Sequence, residues 1–125
     1  MGGFYEPHVN ADGSREQFFV RLADREVFGV AGLWERSRRA DGSQLLSCTL
    51  ITVPANRLLA EVHNEKQRMP AILADSEHDS WLGGSEQAAR AALRPYPDES
   101  MLAWQVSRRV NNPRLPNDER LIEPL

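Results

Sequence analysis

A chain of 125 residues can bury one core and is too short to suggest two domains. Hydrophobic residues at 41% and charged residues at 26% exclude a wholly disordered chain. A net charge of −3 excludes a protein that grips nucleic acid through bulk positive charge, while leaving room for a local basic groove.

The chain opens on Gly3-Phe4-Tyr5-Glu6, and the turn-rich Asn10-Ala11-Asp12-Gly13-Ser14 follows. Residues 17–22 predict a first strand and residues 27–34 a second, in which Gly29 and Gly32 mark a bulge or a close backbone approach. Asp41-Gly42 signals a turn, and residues 44–53 predict a third, longer strand. Cys48 lies in that run. As the only cysteine it excludes an internal disulfide and a thiolate zinc cluster, fits a reducing compartment, and is expected to pack as a small buried hydrophobe.

Pro54 stops the ladder, and Leu58, Leu59 and Val62 at helical spacing predict a short helix over 55–62 that delivers His63 at its C-terminal end. Residues 64–67 read as a polar loop and 70–73 as a short apolar strand. Helices are predicted over 76–82 and 85–93, the second capped by Ser85 and carrying Ala88, Ala89, Ala92 and Leu93 on one face. Pro95 and Pro97 end this part, residues 102–110 predict another strand, and the tail is loop as far as Leu121-Ile122. In such a strand Arg108 and Arg109 point to opposite faces. The sum is a single α+β domain, with a twisted, largely antiparallel and partly barrel-like sheet flanked by short helices. No apolar run approaches the roughly 18 residues of a membrane span, and no signal peptide is visible, so a cytoplasmic location is expected.

Chemistry concentrates in few residues. Glu6 and His63, if folding joins them, supply a carboxylate and an imidazole that divide proton donation and removal near neutral pH. Neither is a strong nucleophile at rest, so the attacking group is expected from elsewhere. Lys66 is the only lysine. The remaining cations are arginines, which suit phosphate or carboxylate but also reflect a compositional bias. His63 is open to a second, structural reading as a helix-terminal histidine bonding a carbonyl, and Arg68 to one as a partner of Glu65. His8 and His78 are expected to face solvent. No spacing of His, Cys, Asp or Glu suggests a metal, and no cofactor is expected.

Six blocks in order carry a resemblance. They are Gly3-Phe4-Tyr5-Glu6; Ala31-Gly32-Leu33-Trp34-Glu35; Thr49-Leu50-Ile51-Thr52 with Pro54-Ala55-Asn56; His63 with Arg68-Met69-Pro70-Ala71-Ile72-Leu73; Trp81-Leu82; and Val106-Ser107 with Val110-Asn111-Asn112. Together they resemble the SOS response-associated peptidase (SRAP) family, which processes abasic sites in single-stranded DNA, and they match its C-terminal portion. The resemblance implies that an N-terminal cysteine condenses with the aldehyde of a ring-opened abasic sugar, its amine forming an imine and its thiol closing a thiazolidine. It implies that Glu6 and His63 are the family's proton-transfer pair, that Arg68 contacts phosphate, and that Thr52 lines the site. Glu35 reads as a structural or surface residue.

Two departures bear on this expectation. The chain starts Met1-Gly2 where the family starts Met-Cys, and Pro7 follows Glu6 where the family has tryptophan. Cys48 has no free α-amine and does not replace the nucleophile. The chain is therefore expected to be inactive alone toward abasic single-stranded DNA and to form no thiazolidine crosslink. The alternative is a noncatalytic interaction module, completed by the missing N-terminal segment on another chain or by a second copy. Hydrolase activity, which the family name suggests, lacks its nucleophile in the same way.

Overall fold

The computed structural model describes residues 1–125. Its first ladder joins β1 (Phe4–Val9) to β2 (Arg15–Leu22), and β2 to β9 (Met101–Val106), in the order β1-β2-β9 and antiparallel throughout. Sequence patterning did not announce β1, because Pro7 interrupts it. The strand lies at a sheet edge, where a residue without an N–H costs no interior ladder bond.

The predicted strands over 27–34 and 44–53 are each divided in two. Gly29–Val30 (β3) is followed, after Ala31, by Gly32–Arg38 (β4), and Gln44–Leu50 (β5) is followed, after Ile51, by Thr52–Pro54 (β6). The third such run comprises Arg68–Pro70 (β7), Ala71 and Ile72–Leu73 (β8). Pairing is antiparallel in every case: β3 with β8, β4 with β5, and β6 with β7. Each run therefore changes partner at its break. At the three breaks the Ala31 N–H donates to the Ala71 carbonyl at 2.8 Å, Ala71 to Ile51 at 2.9 Å, and Ile51 to Ala31 at 2.9 Å. This closed ring of hydrogen bonds satisfies backbone groups that the divided ladders leave over.

Small residues make the junction possible. Ala31 and Ala71 are both 0% exposed. At Gly32 a Cβ would stand 2.7 Å from the Thr49 carbonyl oxygen, and at Gly29 one would stand 2.6 Å from His78 Nε2. Both glycines thus mark close approaches, as their positions in the sequence suggested.

The expected helix over 55–62 is α1 (Arg57–Val62), with Asn56 as its N-cap: the Leu59 N–H donates to Asn56 Oδ1 at 2.9 Å. Asn56 Nδ2 donates to the Tyr96 carbonyl at 2.7 Å, tying the cap to the far segment of the chain. Leu59 and Val62 enter the core, which Val20, Leu22, Phe28, Val53 and Met69 also build. Burying each such side chain stabilises the fold by about 1.5–3 kcal/mol. Two further helices, α2 (His78–Gly83) and α3 (Glu86–Ala92), follow, with Ser85 capping α3 by accepting from the Ala88 N–H at 3.1 Å. No helix is long and apolar enough to cross a membrane.

Two expectations need correction. Cys48 is exposed, because it lies in β5 of a two-stranded ribbon that the core does not cover. Residues 102–110 are not one strand: Ser107 accepts from the Arg109 N–H at 3.3 Å and turns the chain into a short 3-10 helix over Arg108–Asn111, so Arg108 and Arg109 are exposed turn residues. The largely antiparallel sheet structure is as expected and forms no closed barrel; the ladders β3-β8, β4-β5 and β6-β7 meet at the junction. Replacing Ala71 by leucine is expected to overpack the junction and to cost about 1–3 kcal/mol, measured by urea denaturation. A variant as stable as the parent would show slack where none is expected.

Candidate functional site

The C-terminal end of α1 lies against β1. Alternation along β1 puts Glu6 and His8 on one face, which meets this end of the helix. His8 Nδ1 lies 3.0 Å from the Glu61 carbonyl and 3.1 Å from that of Val62, both among the carbonyls that a helix end leaves free. One residue beyond His63, Asn64 pairs with the backbone of β1: its Oδ1 accepts from the Val9 N–H at 3.0 Å and its Nδ2 donates to the Val9 carbonyl at 2.8 Å. A return turn follows, with the Gln67 N–H donating to the His63 carbonyl at 2.9 Å and Gln67 at φ 50°.

These clamps bring Glu6 and His63 together. His63 Nδ1 stands 3.2 Å from Glu6 Oε2 and 3.1 Å from the Arg68 carbonyl oxygen, and the two side chains keep only 14% and 15% of their surface exposed. Two acceptors at Nδ1 require the hydrogen there, so a neutral ring has its lone pair on Nε2. Burial pushes the Glu6 carboxyl above the usual range, and the charge of His63 offsets this only in part. The pair is one strained carboxyl and one oriented imidazole, the components of a proton relay.

Arg68 and Thr52 continue the same chain of contacts. They lie on the paired strands β7 and β6, and the guanidinium donates from Nε to Thr52 Oγ1 at 3.1 Å and from Nη2 at 2.9 Å, with a further bond to the Thr52 carbonyl. Arg68 has no carboxylate partner; Glu65 pairs with Arg15 at 3.4 Å instead. All four residues singled out in the sequence are thus contiguous, from Glu6 through His63 and the Arg68 backbone to Thr52. Glu35 is exposed on β4, apart from this group. No cluster of three or more His, Cys, Asp or Glu side chains is placed to hold a metal ion.

The sequence reading gave no role to His8 or Asn64 and none as a cap to Asn56. Both His8 and His78, expected to face solvent, are half-buried, and His78 Nε2 is enclosed. The missing signal for His8 was the strand itself: with residues 4–9 recognised as β1, the spacing of Glu6 and His8 puts both on one face.

The chain thus presents an antiparallel α+β fold with a largely buried carboxylate–imidazole pair beside an arginine. A family model described as SOS response associated peptidase (SRAP) matches residues 1–113, and the chain belongs to that family. Among its relatives, the abasic site processing protein YoqW of Bacillus subtilis (strain 168) is 36% identical over 107 residues, covering 83% of this chain and 46% of that protein. The abasic site processing protein HMCES of Rattus norvegicus is 36% identical over 88 residues, covering 69% of this chain and 23% of that one. A crystal structure of a Bacteroides thetaiotaomicron protein superposes with a TM-score of 0.92 and 25% identity over 99% of this chain and 54% of its own. The chain thus spans about half the length of the Bacillus relative.

Because the folded carboxyl of Glu6 titrates above its ordinary value of 4.5, its contribution to stability is fully present below that value and is lost as pH rises through the higher folded value. The thermal midpoint of the parent, taken relative to Glu6→Gln, should therefore fall as pH rises across that window. A difference that rises with pH would mean that attraction to His63 outweighs burial. Asn64→Ala should lower stability by about 1–2 kcal/mol through loss of both bonds to Val9, read by the same denaturation.

Proposed function

We propose that this chain forms the proton-transfer half of an abasic-site processing protein acting on single-stranded DNA in the DNA-damage (SOS) response, in the cytoplasm. The observation that carries this reading is the 3.2 Å contact between Glu6 and His63, two largely buried groups drawn from distant motifs. The family's relatives that bear the name of abasic site processing proteins support the substrate class.

The chemistry is that of an amino-thiol meeting an aldehyde. The amine nitrogen bonds to the carbonyl carbon of the ring-opened sugar, water leaves, and an imine forms. The thiol sulfur then bonds to the imine carbon while its proton passes to nitrogen, closing the thiazolidine without oxidation or reduction. His63, as the imidazolium, gives its Nε2 proton to the departing hydroxyl, which leaves as water, and the neutral ring then takes a proton back from the nitrogen of the imine. Glu6 holds the ring through Nδ1 and its negative charge favours the imidazolium. Arg68, on the arm that Thr52 fixes, meets a phosphate of the strand. The amino-thiol itself is not offered by this sequence, which carries Gly2 after Met1 and a single cysteine in mid-strand. A polypeptide of these 125 residues alone is expected to bind without crosslinking.

Fluorescence anisotropy tests the reading, with a single-stranded oligonucleotide carrying one abasic site against the same strand with that base intact. We expect preference for the abasic strand, loss of binding as salt rises, a several-fold weakening in Arg68→Ala, and no species that survives denaturation. Equal binding of both strands sinks the substrate assignment, and a denaturation-resistant adduct sinks the need for an outside nucleophile. A second reading, a module completed by other polypeptide, is favoured by one specific observation: the uncovered apolar ribbon of β4 and β5.

A further inference from the structure

The return turn between His63 and Arg68 commits every residue but one. Asn64 pairs with the backbone of Val9, Glu65 with Arg15 at 3.4 Å, and Arg68 with Thr52. Gln67 closes the turn: its N–H donates to the His63 carbonyl and its own carbonyl accepts from the Ala55 N–H, each at 2.9 Å. Lys66 alone is left over. It is exposed, it pairs with no carboxylate of the fold, and the neighbouring carboxylate of Glu65 is held by Arg15.

A turn closed from residue 63 to residue 67 cannot extend, so its members stay near both of its ends. Lys66 therefore sits between the oriented imidazole of His63 and the Thr52-held guanidinium of Arg68, within the compass of a flexible four-carbon stem. It is also the only lysine of the chain. A lysine amine condenses with a carbonyl carbon, whereas a guanidinium stays protonated and does not. No other side chain of this fold offers that chemistry.

We propose that Lys66 forms a reversible imine with the aldehyde of a ring-opened abasic sugar, beside His63 and with the adjoining phosphate on Arg68. This rests on the substrate reading given above and adds to it a residue and a bond. The neutral Nζ bonds to the aldehyde carbon, and a proton passes from nitrogen to the former carbonyl oxygen to give a carbinolamine. The His63 imidazolium gives its Nε2 proton to that hydroxyl, the C–O bond breaks, and water leaves. The neutral ring then takes the proton of the iminium nitrogen, which restores the imidazolium and leaves a neutral imine. Nothing is oxidised or reduced. Because water reverses these steps, the imine is lost on denaturation and leaves no lasting adduct. Its role is to hold the strand while it is bound.

Sodium cyanoborohydride reduces an imine to a secondary amine and makes the bond permanent. The 125-residue chain is mixed with the abasic single-stranded oligonucleotide, with and without this reductant, and the product is located by peptide mapping and mass spectrometry. We expect a covalent product only when the reductant is present, on the peptide that carries Lys66, and none with the intact strand. Lys66→Arg keeps the charge and should abolish that product. The double variant Lys66→Arg, Arg38→Lys moves the lysine to the exposed far end of β4 and should trap about tenfold less than the parent. The proposal is overturned if nothing is trapped, if the product maps to the α-amine of Met1, or if the relocated lysine traps as well as Lys66. Anisotropy on the same samples separates the two readings. Preferential binding of the abasic strand without trapping removes the imine alone, trapping at Lys66 with equal binding of both strands removes the preference alone, and absence of both removes both.

Discussion

Three backbone hydrogen bonds, from Ala31 to Ala71, from Ala71 to Ile51 and from Ile51 to Ala31, hold the architecture in phase. Each lies where a run of extended chain leaves one ladder and joins another. A slip of one residue in any run would exchange its inward and outward side chains and would break two ladders at once. The fully buried alanines reflect this constraint, since a larger side chain at either corner would hold the three runs apart. The same ring sets the phase of β6 and β7, and so the meeting of Thr52 with Arg68 and the level at which the chain returns from His63.

The candidate site uses a different economy. Little of it is held by one strong interaction; it is held by convergence on the short helix α1. Asn56 closes the front of that helix, while His8 and Asn64 fasten its rear to β1. A six-residue helix has too few internal bonds to persist alone, so tertiary contacts must supply its order. That order is what allows a carboxyl to be kept beside an imidazole in a largely dry place. Glu6 is destabilised by that environment, and His63 compensates only in part.

Much of this was legible in the sequence, for physical reasons that differ by element. The helix over 55–62 could be read because a proline and three apolar residues at helical spacing agree. The helix at Ser85 could be read from its serine cap and its small-residue face. The divided strands could not, because the composition of 27–34 and 44–53 stays strand-like through the breaks at Ala31 and Ile51, and only tertiary pairing separates the pieces. Cys48 was misplaced by the same logic: an apolar strand-like run suggests burial, but whether a face is covered depends on what packs there. Motif order picked out four residues that the fold brings together, while His8 was lost because Pro7 concealed the edge strand that carries both it and Glu6.

At Arg68, order and charge are separated. Thr52 engages its guanidinium with two neutral oxygens, which fixes the side chain without neutralising it. An anion placed there would meet a positive charge with no carboxylate partner, on an arm whose rotational freedom has already been lost during folding. Lysine at this position would keep the charge but not the fork, and would have to be ordered anew at each encounter. For any such anion, the threonine would shift part of the entropic cost of ordering the arginine from the moment of binding to the moment of folding.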